Sequence, residues 1–370
     1  MDRRTFLAAA GSTGASAIAL LAPSACAPEP DRRLVSVRTA ILSPQMLYGS
    51  AVSIADLNDS ALSALIAKQC AIVATSGPLY WRRVQPEPGH FDFGNADRIV
   101  AFAEKHGIAV RGHTLVWHEL APPWLRAAVQ PHLARAVLTE HVSTVVSRFR
   151  GRVHSWDVVN EPLEPGDCRS DGLRNTDWLR TLGPAYIAAA LHAARDADAS
   201  ALLGVNEYGL ESDSPSAAAR RDAMYSLIAN LRRSGAPLDY LGLQAHLVGR
   251  QTYSNSGLGA FIERVRDLGV RVMITEMDVS DAVFSADLQS RDAAVASVYD
   301  DFLGVALRSG HIDAVLTWGL SDRSSWLQVR SPRSDGAPQR PLPFDSELQP
   351  KPAWRVIESR LRATNSGGRG

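Results

Sequence analysis

Eight short, apolar, β-branched stretches recur along this chain, separated by longer segments, several with helical amphipathic spacing. The strand candidates are GSAVS (49–53), AIVAT (71–75), IAVRGHTLVW (108–117), VHSWDVVNE (153–161), ALLGVNE (201–207), LDYLGLQAHL (238–247), VRVMITEMDV (270–279) and IDAVLTWGL (312–320). Helical patterns lie between them, among others at 95–107, 133–151 and 258–269. Strands alternating with helices predict a parallel sheet, and eight is the number that closes a barrel. The expected fold is therefore α/β, a single-domain (β/α)8 TIM barrel over residues 35–362, followed by a disordered tail at 363–370. An open doubly wound sheet is the competing architecture, but no glycine-rich phosphate turn follows the first strand. The 370 residues fit one barrel, since such domains commonly exceed 200 residues.

The N-terminal 27 residues have a different character. MDRRTFLAAA opens on Arg3-Arg4, an Ala-rich apolar run follows to Leu21, and small residues close the segment. A charged start, a short apolar run and small residues form an export pattern, and the paired arginines resemble a twin-arginine signal. The run is too short and too rich in Gly, Ser and Thr for a membrane span. Two fates stay open for Cys26: part of an ordinary cleavage site, or a lipidated cysteine. Export implies a periplasmic or extracellular location without stable membrane insertion. Lys plus Arg (39) balance Asp plus Glu (39), so no nucleic-acid partner is implied. Cys70 reads as a buried thiol and Cys168 as a loop residue, with a disulfide between them left open. No CxxC or HExxH occurs, so neither metal nor cofactor is expected. Nothing suggests a partner protein, and a monomer is expected.

Functional residues of a barrel gather at the C-terminal ends of its strands. Here His113 and Trp117 close the third stretch, Asn160 and Glu161 the fourth, Asn206 and Glu207 the fifth, Gln244 and His246 the sixth, Glu276 and Asp278 the seventh, and Trp318 the eighth. A single strand-end carboxylate is commonly half of an ion pair. Two facing each other across a barrel mouth, beside His and Trp, suit glycoside hydrolysis, in which one carboxyl donates a proton and the other is ionised.

The segments RGHTLVWHE, WDVVNEP, LQAHL, ITEMDV and TWGLSDRSSW resemble, in order and spacing, signature stretches of family 10 glycoside hydrolases, mostly endo-β-1,4-xylanases. The resemblance implies a retaining mechanism on xylan or xylo-oligosaccharides, with Glu161 as acid/base and Glu276 as nucleophile. It implies that His246 bonds the nucleophile, that Asp278 polarises His246, and that Asn160 binds a sugar 2-hydroxyl. His113, Trp117, Gln244, Trp318 and Trp326 would line the sugar site, as would Trp81 and Tyr80 after the second strand. Retention carries an expected carboxyl separation of about 5–5.5 Å.

The chain departs from that family where T-P-E-N-x-M-K-W is usual. Residues 74–81 read ATSGPLYW, with Ser76, Gly77 and Tyr80 in place of Glu, Asn and Lys, and Gly209 replaces an Asn. Each lost hydrogen bond removes about 0.5–1.5 kcal/mol, more when charged. A different β-glycoside is thus an alternative substrate, and a non-catalytic carbohydrate-binding barrel a third reading. The loop after the last strand carries Arg330, Arg333 and Arg340, read either as a solvated charged loop or as recognition of an acidic sugar decoration.

Overall fold

A computed structural model describes residues 46–367. The barrel strands are β1 (Leu47–Val52), β2 (Ile72–Thr75), β3 (Ala109–Gly112), β4 (Ser155–Asn160), β5 (Leu202–Glu207) and β6 (Tyr240–Leu243), then β8 (Arg271–Ser280) and β9 (Ile312–Thr317). Each pairs in parallel with its neighbours, β9 returns to β1, and β6 joins β8, so eight strands close on themselves. A short β7 (His246–Val248) runs beside the far end of β8. The expected TIM barrel is the fold observed.

Major helices cover its outside: α1 (Ser60–Gln69), α2 (Gly94–His106), α3 (Ala134–Arg148), α4 (Ala185–Ala197), α5 (Pro215–Arg233), α6 (Ala260–Asp267), α7 (Leu288–Ala306) and α8 (Pro352–Gly367). Their apolar stripes make them lie on the strands. In α2, Ala96, Ile99, Val100 and Ala103 are buried at helical spacing, and Gly107 ends the helix in the left-handed region. The Ser214 hydroxyl accepts from Ala217 N at the start of α5, and Asp287 caps α7 through Ser290 N. The core between strands and helices is continuous, while Ile72, Ala74, Tyr240, Met273, Ala314 and Leu316 belong to a separate cluster inside the barrel. In the core between strands and helices Gly112 is required: a Cβ would lie 2.2 Å from the Trp156 ring.

Several expected boundaries shift. The third stretch ends as a strand at Gly112, and residues 113–117 form the loop that carries His113 and Trp117. The sixth splits into β6 and β7 around Ala245, whose φ is +59°. The tail expected to be disordered from 363 is helical through Gly367, continuing a helix whose Trp354, Ile357 and Leu361 are buried. The export segment and residues 368–370 lie outside the described residues. Cys70 is buried and Cys168 exposed, with no disulfide between them. No helix among the described residues is long and apolar enough to cross a membrane.

Candidate active site

The barrel mouth gathers the strand-end residues. Glu276 sits within β8 and is almost fully buried. Its Oε1 accepts from Asn206 Nδ2 at 2.6 Å, and His246 Nε2 lies 3.4 Å from Oε2. His246 Nδ1 meets Asp278 Oδ1 at 2.9 Å, and Trp326 Nε1 donates to Asp278 Oδ2 at 2.7 Å. Burial alone would depress protonation of His246, but Asp278 and Glu276 outweigh it and raise its pKa well above the ordinary value. Burial likewise pushes the Glu276 carboxyl up. The charges and hydrogen bonds of His113, His246 and Arg111 overcome it and bring Glu276 down to about 2. Glu276 is therefore an ionised, desolvated carboxylate.

Glu161 has the opposite setting. It follows β4 with a left-handed φ of +54°, held by its N–H to Asn206 O at 2.8 Å and by Arg174 Nε donating to its carbonyl at 3.0 Å. Trp117 Nε1 donates to its Oε2 at 2.9 Å, and Gln244 Nε2 to Oε1 at 3.1 Å. Burial raises its pKa most, Trp117 and Gln244 pull it down, and the charge of Glu276 raises it further. The two carboxyls are joined through amides. Asn160 Nδ2 lies 3.2 Å from Glu161 Oε1, and Asn206 Nδ2 bridges Asn160 Oδ1 (2.8 Å) to Glu276. Gly242 leaves space for this bridge, since a Cβ would fall 2.2 Å from Asn206 Oδ1.

Aromatic rings curve around this pair. Tyr80 lies 5.6 Å from Trp117 and 5.7 Å from His113, His113 lies 5.1 Å from Trp318, and His246 lies 5.0 Å from Trp326. Trp81 does not join them. It is buried, its ring stacked on His141 at 3.5 Å and near Trp178 at 5.6 Å, with Nε1 donating to Gln85. With the side chain buried and packed against these rings, the expected sugar contact at Trp81 is corrected to a packing role. Two of the three loop arginines are engaged rather than solvated. Arg333 pairs with Asp281 and Asp335, and Arg340 with Asp292, which ties the loop to the barrel; Arg330 is exposed.

The residues that sequence reasoning passed over lie beneath the carboxylates. Asp157 is fully buried and meets Arg111, His113 Nδ1 at 2.7 Å and the Tyr240 hydroxyl at 2.7 Å. The signal was a charged residue inside an apolar strand, once in AVRG and once in SWDVVN. Asn206 appeared only as a strand-end amide. His113, Asp157 and Glu276 place ligand-type atoms within 4.8 Å of one another. Buried Arg111 beside Asp157 and cationic His246 beside Glu276 already supply positive charge there, which disfavours another cation.

A reaction needing Glu276 ionised and Glu161 protonated should therefore switch on as pH rises past about 2 and off as Glu161 deprotonates above the ordinary carboxyl range. His246→Gln removes a cation beside Glu276, so the acid limb of the kcat/KM profile should move to higher pH. An unmoved limb would remove His246 from this role.

Known proteins share this arrangement of fold and sequence. The model of the family described as Glycosyl hydrolase family 10 matches residues 36–360. Endo-1,4-beta-xylanase A of Thermoanaerobacterium saccharolyticum is 34% identical over 328 residues, spanning 84% of this chain but 26% of that protein. Endo-1,4-beta-xylanase B of Paenibacillus barcinonensis is 36% identical over 310 residues, covering 79% of this chain and 89% of its own length. The crystal structure of native xylanase 10B from Thermotoga maritima superposes with a TM-score of 0.80 at 29% identity, covering 90% of this chain and 100% of that one. With the family model spanning almost all the described residues, the chain belongs to glycosyl hydrolase family 10.

Proposed function

We propose that this chain is a retaining endo-1,4-β-xylanase, cleaving β-1,4-xylosidic bonds in xylan or xylo-oligosaccharides. The observation that carries the reading is the opposed setting of two carboxyls at one barrel mouth. Glu276 is held ionised by His113 and His246, while burial and the charge of Glu276 raise the pKa of Glu161. Relatives bearing xylanase names support the substrate.

Glu276 attacks the anomeric carbon as Glu161 gives its proton to the departing glycosidic oxygen. A covalent glycosyl ester forms on Glu276. Esterification removes the negative charge that raised the Glu161 pKa, so Glu161 becomes the base that deprotonates the incoming water. Water then releases a product of the original anomeric configuration. Asn160 and Asn206 lie beside the reacting carboxylates, where hydrogen bonds to the sugar 2-hydroxyl gain strength in the transition state. Trp117, Trp318, Tyr80, His113 and Trp326 offer faces and edges to the sugars.

The test is product analysis on xylan, xylo-oligosaccharides and other β-glycosides. Short xylo-oligosaccharides should accumulate. A second reading keeps the chemistry and changes the glycone. It is favoured by one observation: Tyr80 packs on His113 and Trp117 and hydrogen-bonds Ser76, where charged sugar-binding groups are usual in the family. Cleavage of another β-glycoside with no action on xylan would select it.

The chain is further proposed to be exported through its Arg3-Arg4 signal, with Cys26 either removed with the signal or lipidated, and to act as a monomer. Cell fractionation of the intact chain beside an Arg3→Lys, Arg4→Lys variant tests export; retention of the variant in the cytoplasm is expected.

A further inference from the structure

A cavity of about 570 Å3 opens beside the acid/base, between the segment after β3 and the segment after β4. Its volume lies in the range of small-molecule sites. Trp117, Pro122 and Pro123 give it apolar faces, and Arg126, Arg174 and Arg180 give it charge. Asp177 is the acid in its lining, and that carboxylate is held by Arg180. Arg126 reaches it only at 4.0 Å, the outer limit of an ion pair, and its side chain is 88% exposed. Arg126 thus presents a guanidinium with most of its donors open.

His118 also lines the cavity, and burial brings it down to about 4, so its ring is neutral at neutral pH. The cavity also shares a wall with the reaction centre. Trp117 holds Glu161 through its indole N–H, and Arg174 holds the Glu161 carbonyl. A group seated here lies next to the acid/base and belongs to a sugar near the scissile bond. Of the three loop arginines considered for acid recognition, Arg333 and Arg340 are engaged by buried or half-buried aspartates, and Arg330 is exposed but does not line this cavity, as Arg126 does.

We propose that this cavity is a subsite for a carboxylate-bearing sugar, a uronic acid carried on the glycan, with its carboxylate on Arg126 and its ring against Trp117 and the prolines. Guanidinium and carboxylate match in geometry and charge, and a neutral sugar makes no such pairing. The inference deepens the xylanase reading and rests on it for the identity of the backbone, but not for binding of the acid itself.

The experiment therefore has two arms. In the first, Glu276→Ala protein is titrated with methyl β-D-glucuronide and with methyl β-D-glucoside while the indole N–H signals are followed by NMR. The glucuronide should perturb them at concentrations where the glucoside does not. Arg126→Glu in the same background should weaken the glucuronide response about tenfold or more, and salt at about 0.5 M should weaken it as well. Equal responses to the two sugars, or no effect of Arg126→Glu, would overturn the subsite. In the second arm, wild-type protein is given xylo-oligosaccharides of equal length with and without a uronic acid branch. A kcat/KM preference for the branched substrate, lost in Arg126→Glu, is expected. Cleavage of both at equal rates overturns the subsite and leaves the xylanase reading intact. Failure to cleave either overturns the xylanase reading, while the glucuronide titration still decides the subsite.

Discussion

Glu276→Ala is expected to reduce kcat by on the order of 10^4-fold or more, with the barrel intact. In the proposed mechanism this carboxylate supplies the bond that replaces the glycosidic one. Asn206, His113 and His246 surround Glu276, and none of them is a carboxylate able to attack carbon. Glu161→Ala should cost on the order of 10^2–10^4-fold on substrates with poor leaving groups and much less when the departing group needs no proton. Steady-state kinetics on a xylo-oligosaccharide and on an aryl glycoside separate the two. If both variants respond equally to the leaving group, the roles given to Glu161 and Glu276 do not hold. Azide sharpens the assignment. Occupying the space left by Glu276, it should yield a glycosyl azide of inverted configuration.

The second large effect is on stability. Asp157→Ala should lower the free energy of unfolding by about 3–5 kcal/mol. Asp157 is the buried partner of Arg111, His113 and Tyr240, all of them at or near zero exposure. Removing it strands the Arg111 cation inside the barrel, where nothing else balances it directly. Asp157→Asn keeps hydrogen-bonding capacity but loses the charge, and should fall between wild type and Ala. Denaturant unfolding followed by tryptophan fluorescence measures both. A loss under about 1 kcal/mol for Asp157→Ala, small as for an exposed pair, would mean that Arg111 finds another partner. The same substitution should reduce turnover among molecules that remain folded, because His113 leans on Asp157 on one side and faces Glu276 on the other.

The barrel was legible because short continuous apolar, β-branched runs alternate with helical amphipathic stretches, and the count of eight suits closure. The two carboxylates were legible because each stands at the end of a strand in a family-like stretch. What stayed hidden needed contacts across the barrel. Asn206 is one amide among several strand-end polar groups in the sequence, and only the approach of β5 to β8 over Gly242 makes it the bridge to Glu276. Trp81 keeps the position of a family tryptophan, yet its ring turns outward onto His141, and a side chain's direction is not written in a motif. Strand three was overextended because HTLVW continues the apolar pattern of AVRG. In the structure that apolarity serves burial of Leu115 and Val116 against β4, through Leu115 N to Asp157 O and Val116 N to Val158 O, not continuation of the strand. The loop arginines looked free because their aspartate partners, Asp281 and Asp292, lie about 50 residues away in the sequence.

The proposed double displacement divides the labour between an ionised Glu276 and a proton-donating Glu161. The most direct measurement is proton NMR of the anomeric signals during the first minutes of xylo-oligosaccharide hydrolysis, before mutarotation. The new reducing end should appear first as the β-anomer, the α-anomer growing in only as the sugar equilibrates. Initial appearance of the α-anomer would mean that water attacks directly, and Glu276 would be a base instead of a nucleophile.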